Sequence, residues 1–249
     1  MDRDWRKDFR FAYLIEPPFC YRAADGAVAG CDVEVARHVS RVLGVASFTA
    51  VETAFAELLP GLAGGRWDMT TGLFVTEARQ RIAAFSRPIW ALGDGLLVPA
   101  GNPARVSGYR SLAASKLRLA VVAGQVQEET ARALGVPDNR IRRFATYPEA
   151  ARAVADGEAD AYASVAAAHR GFLRERPDLL LSVIEIADAE KAAEIGAFAF
   201  AGSATALRNR VDEELGRYLG SPGHVALMRR YFFSAADVER IAPGPLRRS

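Results

Sequence analysis

Cysteine is scarce in this chain, with only Cys20 and Cys31 among 249 residues. Two thiols cannot make a disulfide framework or a four-thiolate metal site. They flank an expected turn at Asp25-Gly26, so a single bridge and a pair of half-buried thiols both fit. An excess of one charge is also missing: Lys+Arg 32 against Asp+Glu 30 leaves +2, and the basic residues are scattered rather than gathered in a stripe. That argues against a nucleic-acid partner. No apolar run reaches the roughly 18 residues of a membrane span; the best stretch, Ile195 to Leu207, is shorter and contains Gly196 and Gly202. The opening MDRDWRKDFR is densely charged where a secretory leader would be apolar, which leaves open a cytoplasmic protein or the mature form of an exported one.

Catalytic signatures are missing as well. There is no HExxH, GxSxG, GxxxxGK[ST] or CxxC, and GDGLLV at 93–98 departs from the dinucleotide pattern. His38, His169 and His224 are far apart in helical segments and read as surface or packed histidines. The expectation is a protein without catalytic residues, cofactor or metal.

What is present is a packable composition, 50% hydrophobic and 25% charged, with β-rich runs alternating with amphipathic helical stretches. This predicts an α/β fold with largely parallel sheets. FRFAYLI (9–15), SFTAVE, WDMTTGLF, LRLAVVAG and ADAYASV read as strands. Asp32 is expected to cap a helix through Val35, Ala36, Val39, Val42 and Leu43, and Thr53 one that buries Leu58, Leu59 and Leu62. Thr146 with Glu149 forms a capping box, with Pro148 in the first turn, and a helix is also expected from Gln125 to Leu134. Ser203–Leu219 and Pro222–Phe232 read as consecutive helices, and APGPLRRS as a tail. The stretches at 95–103 and 195–202 are expected to be a pair of crossovers, dividing the chain into a discontinuous lobe 1 (1–98 and 196–249) and a lobe 2 (99–195). A crevice at the carboxyl ends of the strands would then hold a ligand.

The side chains expected there suit a small zwitterion. Arg79, in TEAR at a strand-to-helix junction, offers a guanidinium fork for a carboxylate; it could equally be a solvated helix arginine. Glu16, before Pro17-Pro18-Phe19 at the end of the first strand, could receive a cation or be a simple loop charge. Phe19, Phe55, Phe74 and Trp90 lie beside strand ends and could wall a cation with their ring faces.

EPPF, DGAVAGCDVEVARHVSRVLGV, LLPGLAGGRWD, GLFVTEARQRIAAFSRPI, VVAGQVQEE and YPEAARAVADGEADAY, in that order and spacing over almost the whole chain, resemble the family 3 extracellular solute-binding proteins of ABC importers. The resemblance implies two α/β lobes joined by two hinge strands, a location outside the cytoplasm, a monomer, and permease subunits as partners. It gives Arg79 the ligand's α-carboxylate, with Thr71 and Gly72 as a neighbouring backbone site and Gln125, Val126 and Gln127 on the opposite lobe, where relatives carry a Gly-Thr-Thr-like helix start. Tyr162, in DAYASV, joins the candidates, and Val165 stands where amino-acid binders place an aspartate for the α-amino group. The pattern is closer to the ectoine and hydroxyectoine branch, which maps Glu16, Phe19, Phe55, Phe74 and Arg79 onto a cyclic amidinium carboxylate. WDMTTG is one residue shorter than usual between Asp68 and Gly72, which shifts Thr70 and Thr71. A cyclohexadienyl dehydratase-like enzyme, with Glu16 as acid, and a sensor domain are the alternative readings of the same fold.

Overall fold

The computed structural model describes residues 4–233 together with 237 and 238. The expected tail at 242–249 lies outside them. The chain forms two α/β lobes. In the first, Phe9–Tyr13 pairs in parallel with Phe48–Glu52 on one side and Met69–Thr70 on the other. The second is a five-stranded sheet in the order Ile141–Phe144, Leu119–Val122, Ala161–Val165, Asp94–Pro99, Leu181–Glu185. Leu119 and Val121 face one hydrophobic cluster of this lobe and Ala120 and Val122 another, the two-residue period of a strand covered on both faces.

The sheets are less parallel than the sequence suggests. Asp94–Pro99 runs antiparallel to both Ala161–Val165 and Leu181–Glu185, and Glu194–Ala201 runs antiparallel to Gly72–Phe74, Ala83–Phe85 and Trp90–Leu92. The reason is the double crossing of the chain: a strand that enters or re-enters a lobe is not the product of a right-handed βαβ turn and can join a sheet in either direction. The stretches expected as crossovers are strands within the lobes: Asp94–Pro99 lies in the five-stranded sheet of the second lobe, so the expected lobe boundary at 98 falls inside that strand, and Glu194–Ala201 lies with Gly72–Phe74. The chain passes from Trp90–Leu92 into Asp94–Pro99 through Gly93, and returns through residues 186–193.

WDMTTGLF is broken at Thr71, where Met69–Thr70 leaves the parallel sheet and Gly72–Phe74 joins Glu194–Ala201. The capping box at Thr146 and Glu149 is present and starts the helix Tyr147–Ala155. Two other caps differ. The helix Cys31–Val42 starts from Gly30, with Asp32 buried in its first turn; Thr53 caps nothing, because a 3-10 turn at Phe55–Glu57 precedes the helix Leu58–Ala63. Leu58 and Leu62 are buried there. Helices Thr205–Tyr218 and Pro222–Arg230 follow one another without a strand and pack on Cys31–Val42. No described helix is long and apolar enough to cross a membrane.

Cys20 and Cys31 are buried free thiols. Burial pushes both pKa values up, which keeps the sulfurs protonated and unreactive.

Candidate functional site

The carboxyl ends of the strands meet between the lobes at a cavity. Leu14 and Glu16, just beyond the first strand, border it from lobe 1 with Phe19, Phe55, Thr71, Gly72, Leu73, Phe74, Arg79 and Trp90. Gln125, Val126, Gln127, Ser164 and Val165 border it from lobe 2. About 480 Å³ of this space is free of protein atoms, part of it open to solvent. Every candidate named from the sequence borders it except Tyr162.

Tyr162 lies behind the wall. Its ring meets Tyr147 edge-on at 4.9 Å and His169 at 5.1 Å, in the fully buried layer behind strand Ala161–Val165. Ser164 and Val165, the last two residues of that strand, border the cavity instead; Tyr162 shares a face with Ser164 but lies two residues further from the strand's end. Burial holds the His169 pKa down to about 3, so the ring is neutral. It bridges the Tyr147 hydroxyl (2.6 Å) and the Gly95 carbonyl (3.2 Å), and a neutral ring that donates from Nε2 to the carbonyl accepts the hydroxyl at Nδ1. This histidine is packed and structural.

Arg79 sits in the single helical turn Glu77–Gln80, whose N-cap Thr76 accepts the Arg79 N–H. The guanidinium donates from Nη1 to the Phe74 carbonyl (2.9 Å) and from Nη2 across the cleft to the Gly124 carbonyl (3.1 Å). Its Cζ lies 5.3 Å from the Phe55 ring centroid. Burial lowers the Arg79 pKa, but a guanidinium stays cationic in a protein. Neither hydrogen-bond partner is an anion, and although the Glu129 and Glu194 charges act on it, the fork has no carboxylate bound to it at the cavity.

Glu16 is the negative counterpart. It accepts a hydrogen bond from Ser164 Oγ on the other lobe at 3.1 Å. Burial pushes its pKa up from 4.5 to about 7; the Ser164 hydroxyl pulls it back, the Asp32 charge pushes further, and the Gln125 amide lowers it. The carboxyl is therefore poised between its two protonation states near neutral pH.

Asp32 holds the floor of the site. Only 2% exposed, it accepts from Thr71 Oγ1 at 2.7 Å, the Gly72 N–H at 2.8 Å and Trp90 Nε1 at 3.3 Å. The Thr71 N–H donates to the Ala12 carbonyl. So the backbone donors at 71 and 72, which the family pattern offers to a ligand carboxylate, are engaged within the protein, and Arg79 is left to take that charge. Gly72 and Gly196 lie so close to the Trp90 ring that a Cβ on either would overlap it. Trp90 in turn contacts Phe19 (5.7 Å) and Phe74 (5.3 Å, edge-on), making a continuous aromatic wall. Asp32→Ala would strip two buried donors and one part-buried donor of their acceptor and should cost about 3 kcal/mol of stability. A urea titration checks this, and an unchanged midpoint would remove Asp32 from this role.

The sequence reading assigned Asp32 a cap because an acidic residue before a helical run fits one; its contacts 39, 40 and 58 residues away carry no local signature. Ser164 was missed for a similar reason. Gln127 borders the cavity, but its Nε2 donates to the buried Asp94 carboxylate at 2.8 Å, beside the Tyr109 hydroxyl at 2.7 Å. It secures the start of the first crossing strand of lobe 2.

Two α/β lobes, linked by two chain crossings and closed over a cavity with a cation on one wall and a carboxyl on another, define a two-lobed ligand-binding protein. The sequence matches the bacterial extracellular solute-binding proteins, family 3, over residues 10–234, and the chain belongs to that family. It is 33% identical over 206 residues, 80% of this chain and 68% of the other, to a probable amino-acid ABC transporter periplasmic-binding protein, y4tE, of Sinorhizobium fredii. Its structure is similar to that of EhuB in complex with hydroxyectoine, with a TM-score of 0.85 and 28% identity, covering 94% of this chain and 92% of that one. A cyclohexadienyl dehydratase of Pseudomonas aeruginosa is 28% identical over 166 residues, 65% of this chain and 60% of that enzyme. The family is one of extracellular capture proteins that bind a small solute and work with ABC transporter permeases.

Proposed function

We propose that this chain captures a small zwitterion, an amino acid or a compatible solute of the ectoine and hydroxyectoine type, and delivers it outside the cytoplasm to the permease of an importer. One observation carries the reading: a guanidinium and a carboxyl border the same aromatic-walled cavity, and each already reaches across to the opposite lobe. The ligand carboxylate would replace the Phe74 and Gly124 carbonyls on Arg79, and its cation would sit by Glu16 against the faces of Phe19, Phe55, Phe74 and Trp90. The similarity to EhuB and to the S. fredii protein supports this choice of ligand class. The cavity lies between the lobes, so a ligand enters when they part and is held when they close, with Glu16 and Ser164 meeting again across the cleft and the ligand carboxylate taking the place of the Gly124 carbonyl on Arg79.

Thermal unfolding in the presence of ectoine, hydroxyectoine and the amino acids tests the proposal, because a ligand that binds only the folded state raises Tm by mass action. A rise with one or more of them is expected; no shift with any would refute the ligand class.

Closure has its own test. Gly171, in helix Ala166–Glu175 of lobe 2, lies against the Glu16-Pro17-Pro18 turn of lobe 1, where a Cβ would fall 2.6 Å from the Pro17 carbonyl carbon and oxygen. Gly171→Ala should wedge the lobes apart, weaken ligand binding about tenfold or more, and keep the radius of gyration of the liganded protein at its open value in small-angle scattering. A variant that closes like the wild type would contradict the contact's role.

The poised Glu16 and the dehydratase relative give a second reading some support, since a carboxyl with a pKa of about 7 suits a general acid. Turnover of prephenate or arogenate by the purified protein would establish it, and its absence would retire it.

A further inference from the structure

The aromatic wall does not by itself distinguish one cation from another. Ring faces attract a fully methylated ammonium as well as an amidinium or a primary ammonium. Glu16 discriminates weakly, since a carboxylate balances any of these charges. The discriminating group is on the other lobe.

Gln125 immediately precedes helix Val126–Ala133 and borders the cavity. Its backbone N–H is held by the Val122 carbonyl at 3.1 Å, and its side chain makes no capping bond to the helix it precedes. The residue is only 7% exposed, and its Oε1 is buried without a hydrogen-bond partner among the described residues. Such orphaned acceptors are uncommon in native proteins, and each calls for an explanation. The amide also lowers the Glu16 pKa, which places it beside that carboxyl. Val165, also bordering the cavity, contributes no polar atom to the cation, the Ser164 hydroxyl is donated to Glu16 and the Gln127 amide to Asp94, while Gln125 Oε1 is a buried acceptor without a partner among the described residues.

We infer that Gln125 Oε1 is a second acceptor for the ligand's cationic group, so that the site takes carboxylates whose cation carries N–H donors and rejects fully N-methylated betaines. This deepens the zwitterion reading above and rests on it. A betaine can satisfy the charge of Glu16 and the ring faces, but it leaves the buried amide oxygen unpaired, which weakens binding on the order of ten- to a hundredfold. A cyclic amidinium has two N–H groups on one edge and can serve both acceptors together.

Calorimetry at pH 8, where Glu16 is ionised, provides the test, with ectoine and L-proline as donors and proline betaine and glycine betaine as methylated counterparts. The wild type should bind the better donor at least about tenfold more tightly than either betaine. Gln125→Leu, which keeps the bulk and removes the acceptor, should weaken the donor ligand about tenfold and leave the betaines within about threefold, narrowing the gap. Gln125→Met serves the same purpose if the leucine variant does not fold. A wild type that holds a betaine as tightly as the better donor, or a variant that weakens both classes equally, would overturn the inference and leave zwitterion capture standing. Binding of none of the four, together with no thermal shift from any amino acid or hydroxyectoine, would overturn the zwitterion reading and this inference with it.

Discussion

Arg79→Ala is expected to weaken ligand binding at least about a hundredfold, about 3 kcal/mol or more, because the ligand carboxylate would be buried without its partner. The effect should fall on affinity rather than on folding. The guanidinium's present hydrogen bonds go to the carbonyls of Phe74 and Gly124, which border the cleft and can be hydrated once the side chain is gone. Arg79→Lys keeps the charge but loses the planar fork and should recover only part of the binding. Titration calorimetry on the three proteins measures the series, with Tm values of the free proteins as a control for folding. Undiminished affinity in the alanine variant would mean that the carboxylate is held elsewhere.

The second large effect is on pH dependence and comes from Glu16. In the closed form without ligand its pKa is about 7, raised mainly by burial. A cation in the cavity favours the ionised form, so binding below pH 7 must release a proton. Affinity should therefore rise about tenfold per pH unit from acid conditions up to about pH 7 and level off above it, giving up to about a hundredfold between pH 5 and pH 7. Glu16→Gln should bind weakly at every pH and lose that slope. The stability of the free protein moves the other way. A carboxyl whose folded pKa lies above its unfolded value of 4.5 stabilises the fold most when protonated, and that contribution is lost as pH rises from 4.5 to about 7. His169 and His224, held down to about 3 and about 4 by burial, act in the opposite sense, since acid must charge them against the fold. The Glu16 contribution is therefore read as the difference in Tm between wild type and Glu16→Gln across this range. A difference independent of pH would show that Glu16 titrates normally.

Much of this molecule was legible in the sequence. The Thr146-Glu149 box, the strand runs and the final helix pair are local signals, decided by capping chemistry and periodicity within a few residues. The aromatics and the two charged groups were reachable because a turn or junction at a strand's carboxyl end marks a crevice. What was not legible depends on chain segments far apart in sequence. The direction of Asp94–Pro99 is set by the crossing between lobes and not by its own residues. The Asp32 carboxylate acts through Thr71, Gly72 and Trp90, and its engagement of the Gly72 N–H changes which group is free for a ligand. Tyr162 and Ser164 lie on the same face of one strand, and only the one nearer its carboxyl end reaches the cavity, a boundary set by how far the neighbouring elements cover the strand. A one-sequence reading places such residues near a site without telling wall from backing.

A crystal structure with the bound solute tests the whole account most directly. It should show the ligand carboxylate within hydrogen-bond distance of both Arg79 terminal nitrogens, in place of the Gly124 carbonyl, with the cation between Glu16 and the Phe55 and Trp90 rings. A solute bound elsewhere, or Arg79 still bonded to Gly124 with a ligand in the cleft, would contradict it.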